Sequence, residues 1–78
     1  MNGWTESDNQ LKKTFEFSSF QEAMQWMLKA IPVIEEMNHH PEWTNVYNKV
    51  HVVLRTHSAG NKVTSLDRKL ASALDAIQ

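Results

Sequence analysis

Apolar and polar positions alternate near the start of the chain, as expected of a strand with one buried face. The alternation runs from Leu11 to Phe17: one face carries Leu11, Lys13, Phe15 and Phe17, and the other carries Lys12, Thr14 and Glu16. A shorter segment, Trp4 to Ser7, is a candidate partner strand, because Asp8-Asn9 between the two favours a tight turn. The pattern therefore predicts a β-hairpin.

After this strand, apolar residues recur every three or four positions, and this spacing predicts a long helix. Ser19 is a candidate N-cap, since Glu22 follows three residues later as in a capping box. Two apolar stripes follow on neighbouring faces. The first contains Phe20, Ala23, Met24, Met27, Ile31 and Ile34, and the second contains Trp26, Ala30, Val33 and Met37. We expect the first stripe to pack on the sheet and the second to contact another subunit; in the alternative, the second stripe only widens the core face.

The second half repeats the order of the first. The helix is expected to end between Asn38 and Glu42, and two strands are predicted at Trp43–Asn48 and Val50–Thr56. In the second strand, alternation predicts a core face formed by Val50, Val52, Leu54 and Thr56. A last helix is predicted to open at Thr64, with an apolar stripe of Leu66, Leu70, Leu74 and Ile77. The order ββαββα predicts an α+β fold of two layers, in which two helices cover one face of a four-stranded antiparallel sheet.

Composition narrows the class of protein. The chain has 78 residues, so residues 1–78 are expected to form a single domain whose small core favours association with further subunits. It has no cysteine, which excludes disulfides and thiolate metal sites. The formal charge is −1 with scattered basic residues, and no secretory signal or membrane-length apolar run is present. We expect a cytoplasmic protein that binds neither nucleic acid nor membrane.

Four histidines are the unusual feature of the composition. Three of them belong to the spacing Glu-x3-His-His-Pro-x5-Tyr-x9-His-x9-Asp, which is filled here by Glu35, His39, His40, Pro41, Tyr47, His57 and Asp67. The uninterrupted segments 38–43, Asn-His-His-Pro-Glu-Trp, and 45–51, Asn-Val-Tyr-Asn-Lys-Val-His, extend the match. In these motifs, and over nearly its whole length, the chain resembles the pterin-4a-carbinolamine dehydratases.

The resemblance implies a dehydratase that removes water from a 4a-hydroxytetrahydropterin, with the pterin as substrate and no metal or other cofactor. It implies a pterin site lined by His39, His40 and His57. Further substrate-binding or orienting residues would be Glu35, Asp67, Pro41 and Trp43. Imidazole, with an ordinary pKa of about 6.5, can donate or accept a proton near neutral pH. We expect His39 and His57 to transfer protons and His40 to bind the ring.

The resemblance also implies assembly, as a homodimer or homotetramer through the long helix and the sheet edges. Three departures are visible: the family's further N-terminal helix has no counterpart ahead of Trp4, Pro32 interrupts the long helix, and the loop after His57 is one residue longer than in the animal enzymes. We therefore expect a short form of the family.

Other interpretations of these residues remain. Three histidines and a carboxylate could bind zinc, but adjacent histidines at a helix end diverge. Asp67 also occupies a capping position, Glu35 is typical of a solvated helix face, and His39-His40 is typical of a helix C-terminus. Because family members in animals also act as dimerisation cofactors of a transcription factor, a non-enzymatic interaction module is the alternative function.

Overall fold

Two β-hairpins, each followed by a helix, make up the part of the chain that the structure describes, residues 3–77 of a computed structural model. The elements are β1 (Thr5–Ser7), β2 (Gln10–Glu16), α1 (Phe20–Met37), β3 (Glu42–Val46), β4 (Lys49–Leu54) and α2 (Ser65–Ala76). A short 3-10 turn at His57–Ala59 precedes α2. The predicted order and the predicted fold class are both confirmed.

The four strands form one antiparallel sheet in the order β1-β2-β4-β3. The first hairpin turns through Asp8 and Asn9, whose φ angles of 53° and 60° lie in the left-handed region that these residue types tolerate. In the second hairpin, Trp43 pairs with Val52. The strand β4 ends at Leu54, and the predicted strand therefore extends two residues too far, because Thr56 already pairs with Lys62 across the following loop.

The long helix begins and ends with defined caps. The Ser19 hydroxyl accepts a hydrogen bond from the Glu22 amide at 3.1 Å, as the predicted cap requires. At the other end Asn38 is left-handed (φ 50°), and the His39 amide donates back to the Ile34 carbonyl at 3.4 Å. This Schellman-type ending stops the helix immediately before the histidine pair.

The subunit contact predicted for the second stripe of α1 was wrong, and the alternative, in which that stripe widens the core face, is confirmed. Trp26 is 4% exposed within the single chain, and its ring centre lies 4.4 Å from that of Phe15, so it cannot be a subunit contact. The buried face consists of Ala23, Trp26, Ala30 and Ile34. The small Ala23 and Ala30 bring the helix close to its neighbours, and the indole between them fills the space above the sheet.

The predicted inner stripe of α1 is instead partly external. Its residues Phe20 and Ile31 are 49% and 46% exposed, and Leu28, which belongs to neither predicted stripe, is 66% exposed. In α2 the predicted stripe is mostly correct, since Leu70 and Leu74 are buried with Ile77 packed beside them, but Leu66 is 40% exposed. No helix between residues 3 and 77 is both long enough and apolar enough to cross a membrane.

Candidate active site

A cleft of about 460 Å³ opens where α1 ends, β4 leaves the sheet and α2 begins. Its volume is within the range of small-molecule pockets, which span about 300–1,000 Å³. The residues that line it are Asn38, His39, His40, Pro41, Glu42, Thr56, His57, Ser58 and Leu66. The fold thus brings the three predicted histidines to one cavity, although His39 and His57 are 18 positions apart in the sequence.

His39 lines this cleft and contacts the buried Asp67, which is not itself a lining residue. His39 Nε2 lies 2.6 Å from Asp67 Oδ1, and the two side chains are 10% and 0% exposed. An ionised carboxylate can only accept hydrogen bonds, so the ring nitrogen donates. This leaves Nδ1 as the nitrogen through which the neutral His39 ring can accept a proton.

The second oxygen of Asp67 belongs to the start of α2. Oδ2 accepts hydrogen bonds from the Thr64 amide and from the Thr56 hydroxyl, both at 2.8 Å. The first of these completes a capping box with Thr64 as the N-cap residue. The capping role that the sequence offered for Asp67 is therefore confirmed on Oδ2, while Oδ1 contacts His39.

These hydrogen bonds determine the charge of Asp67. Burial alone raises the pKa of a carboxyl group, but the hydrogen bonds from His39, the Thr64 amide and Thr56 outweigh burial and hold the pKa of Asp67 below its ordinary value of 3.8. The side chain is consequently an anion at neutral pH.

The other two histidines are more accessible. His57 Nδ1 lies 2.7 Å from the Asn61 side-chain oxygen, so this nitrogen donates and Nε2 is left for other contacts. His40 Nε2 lies 3.5 Å from Glu35, and these side chains are 56% and 66% exposed. Such an exposed pair contributes little to stability and leaves His40 able to reorient.

Not every predicted site residue reaches the cleft. Pro41 lines it, whereas Trp43 packs against the core, with its ring centre 6.2 Å from that of Trp26. Glu35 is not a lining residue, and its carboxylate lies 3.5 Å from His40 Nε2. Across residues 3–77, no three histidine, aspartate or glutamate side chains converge closely enough to hold a metal ion.

A larger hollow elsewhere contains fewer groups able to transfer protons. It measures about 630 Å³ and lies on the open face of the sheet, where Lys12, Thr14 and His51 contribute to its lining. His51 Nδ1 lies 2.8 Å from the Thr14 hydroxyl, and no second imidazole shares this hollow. We therefore place the candidate site in the smaller cleft, where three imidazoles and a buried anion are combined.

The sequence had not indicated several residues of the cleft. Thr56 was placed on the inner side of its strand but was not connected to Asp67, and Leu66 was assigned to the core although it lines the cleft. Asn61, the partner of His57, has a left-handed backbone (φ 60°) in the extended loop. Local features gave hints, because asparagine after glycine favours such a turn and threonine preceding His57 continues the buried parity of β4.

Comparison with known proteins identifies the same family as the sequence motifs. The family described as pterin 4 alpha carbinolamine dehydratase matches residues 1–77. A relative from Opitutus terrae with the provisional name pterin-4-alpha-carbinolamine dehydratase is 48% identical over 99% of this chain and 79% of its own length. A relative from Bradyrhizobium diazoefficiens with the same provisional name is 53% identical, covering 95% of this chain and 75% of the relative.

Solved structures show the same fold. A crystal structure titled transcriptional coactivator/pterin dehydratase, from Brucella melitensis, superposes with a TM-score of 0.91 at 42% identity, covering 97% of this chain and 82% of that one. A pterin dehydratase-like protein identified as a RuBisCO assembly factor in the alpha-carboxysome superposes with a TM-score of 0.77. It is 20% identical, covers 95% of this chain and 84% of that one, and so shows likeness of fold alone.

Proposed function

Because the chain belongs to the pterin-4-alpha-carbinolamine dehydratase family, we propose that it dehydrates a 4a-hydroxytetrahydropterin to the quinonoid dihydropterin, as in tetrahydropterin recycling. The observation that carries this proposal is the His39–Asp67 contact of 2.6 Å inside a cleft that also contains His40 and His57. It supports acid-base chemistry by histidine, because each ring has a nitrogen available near neutral pH.

The reaction needs two proton movements and no redox change. The bond between C4a and the hydroxyl oxygen breaks as that oxygen receives a proton and leaves as water. A proton leaves a ring nitrogen, and its bonding electrons form the new double bond of the quinonoid product. We assign these two transfers to His39 and His57, acting through Nδ1 and Nε2, the nitrogens that Asp67 and Asn61 leave available.

The remaining lining residues would bind the substrate. His40 is exposed at the rim and would position the ring, while Pro41 and Leu66 offer apolar surface to its faces. Glu42 carries its own partner, Arg55, with nitrogen to oxygen distances of 2.8 and 3.3 Å. This pair leaves the rim without an uncompensated charge, which suits a neutral pterin.

The direct test is turnover of enzymatically generated 4a-hydroxytetrahydropterin. The rate is followed by absorbance of the quinonoid product and compared with an enzyme-free control, because the substrate also dehydrates spontaneously. We expect acceleration proportional to enzyme concentration and loss of most of it in the His39→Ala variant. Equal rates with and without the protein would exclude the proposed activity.

A second candidate function is protein interaction through α1. It is favoured by the exposed apolar face of that helix, where Phe20, Leu28 and Ile31 remain uncovered within the chain. We assign this face to contact with a second copy, as a homodimer or homotetramer, since a core of this size benefits from association. Dehydration and assembly would use separate surfaces, so a Leu28→Glu variant that is monomeric yet active would distinguish them.

A further inference from the structure

Thr56 donates a hydrogen bond to Asp67, although it is not part of the histidine motif and is only 5% exposed. Resting on the proposed dehydratase function, we propose that Thr56 is a positioning residue. Its hydroxyl fixes the Asp67 carboxylate so that His39 keeps a proton on Nε2 and meets the substrate through Nδ1.

The direction of each hydrogen bond in this network follows from its members. Asp67 is an anion and can only accept, so the Thr56 hydroxyl proton points to Asp67 Oδ2 at 2.8 Å. The Thr56 and Thr64 hydroxyl oxygens are 2.7 Å apart. Because the single hydroxyl proton of Thr56 is already bonded to Asp67, the Thr64 hydroxyl donates to Thr56. Thr64 in turn accepts from the Leu66 amide at 3.3 Å. The chain of donors therefore runs from the first turn of α2 to the Asp67 carboxylate, which accepts on its other oxygen from His39.

Burial makes this network sensitive to the loss of one member. Thr56 is 5% exposed and Asp67 is 0% exposed, so water cannot replace the missing donor without a local rearrangement. With Thr56 present, Oδ2 is held from two directions and Oδ1 is left facing His39. With the hydroxyl removed, the Thr64 amide is the remaining anchor of Oδ2, and the carboxylate can rotate away from the imidazole.

The backbone of Thr56 does not depend on its side chain. Its amide donates to the Lys62 carbonyl at 2.8 Å, and its carbonyl accepts from the amides of Ala59 and Asn61 at 3.2 and 3.1 Å. These bonds hold the 57–62 loop through main-chain atoms alone. Thr56→Val keeps the shape and the branching of the side chain, and so it removes the hydroxyl while leaving the loop in place.

The experiment compares four proteins: wild type, Thr56→Val, Thr56→Ser and Thr44→Val. Thr44→Val makes the same change on the exposed face of β3, where it should alter nothing. We expect kcat of Thr56→Val to fall roughly 10-fold, with KM nearly unchanged. A roughly 10-fold loss corresponds to the lower end of the stabilisation that a hydrogen bond to a charged group provides. Thr56→Ser retains the donor and should keep most of the wild-type kcat.

A measurement without turnover supplies the second readout. In protein labelled with ¹⁵N-histidine, long-range proton–nitrogen spectra report which ring nitrogen of His39 carries the proton. Wild type and Thr56→Ser should show the Nε2–H form with a slowly exchanging proton. Thr56→Val should show faster exchange of that proton or a mixture of tautomers.

The outcomes separate this proposal from the proposed function. If the wild type fails to accelerate dehydration, the function is wrong, and the ¹⁵N spectra still test whether Thr56 holds His39. If the wild type is active but neutral His39 carries its proton on Nδ1, the positioning role is overturned without any variant. Wild-type kcat together with wild-type exchange in Thr56→Val would overturn it as well. Should Thr56→Val not fold, Thr56→Ala provides the same loss of the hydroxyl with less steric demand.

Discussion

Replacing Asp67 with asparagine separates the two tasks of this side chain. Asparagine keeps one oxygen, which can still accept from the Thr64 amide and the Thr56 hydroxyl. Its nitrogen then faces His39 in place of Oδ1, and the charge is gone. What is lost is a buried, charged hydrogen bond of 2.6 Å, worth about 1.5–3 kcal/mol. We therefore expect the free energy of unfolding at pH 7 to fall by about 2 kcal/mol.

The size of this loss is measurable without abolishing the fold. A domain of 78 residues has a free energy of unfolding of roughly 4–12 kcal/mol, so the variant should remain folded with a lower urea midpoint. Glu35→Gln is the matched control, because Glu35 is also a carboxylate beside a histidine, but 66% exposed and 3.5 Å away. Its effect should stay below about 0.5 kcal/mol.

The pH dependence gives the sharper test. Because the folded pKa of Asp67 lies below the ordinary value of 3.8, its ionisation stabilises the fold fully above that value, and this contribution is lost as the pH falls through the folded pKa. Asparagine does not titrate. The stability difference between wild type and Asp67→Asn should thus be constant above about pH 5 and shrink below pH 4. An equal difference at pH 7 and pH 3 would show that the charge of Asp67 is not what stabilises the fold.

The same variant has a predicted effect on activity. The amide nitrogen of asparagine donates, so His39 must accept at Nε2 and place its own proton on Nδ1. In that tautomer the Nδ1 that faces the substrate already carries a proton and cannot accept another, so kcat should fall roughly 10²- to 10⁴-fold, as when a catalytic imidazole is held in the wrong tautomer. A variant destabilised as expected but fully active would refute the assignment of Nδ1.

Three further outcomes are expected. His39→Ala and His57→Ala should each lower kcat roughly 10²- to 10⁴-fold, and His40→Ala should mainly raise KM, measured against the spontaneous rate. Dehydration should survive exhaustive chelation, and loss of activity restored by zinc would replace histidine catalysis with a metal site. Leu28→Glu should yield a smaller species in size-exclusion chromatography with light scattering, and an unchanged oligomer would contradict the proposed contact. Trp26→Glu should instead unfold the chain, because that indole is internal.

Features determined by neighbouring residues were predicted correctly from the sequence. The Asp8-Asn9 turn, the Ser19 cap and the capping box of Thr64 and Asp67 all depend on short-range hydrogen bonds and backbone preferences. The alternation in β4 likewise identified its buried side, because Val50, Val52 and Leu54 are internal. These features specify where each element begins and which side of a strand is apolar.

The faces of α1 could not be assigned in the same way. Both stripes are apolar and lie side by side, and the choice between them depends on how closely the helix approaches the sheet. The buried face combines Ala23 and Ile34 of the first stripe with Trp26 and Ala30 of the second, and a hydrophobic pattern alone does not show which part of two adjacent stripes faces the sheet. The position of Trp43 depends on strand register in the same way: it pairs directly with the buried Val52, and so it lies on the covered face of the sheet and not in the cleft.

The arrangement around Asp67 explains why the site was only partly visible in the sequence. His39 and Asp67 are 28 residues apart, and their contact depends on the end of α1 and the start of α2 meeting beside Thr56. Spacing alone does not encode that meeting, and the resemblance to a family supplied it. Since one oxygen of Asp67 caps α2 and the other orients His39, any displacement of the helix start also moves the imidazole. The N-terminal turn of α2 is therefore part of the catalytic geometry that we propose, and substitutions there should alter kcat even where they do not touch the cleft.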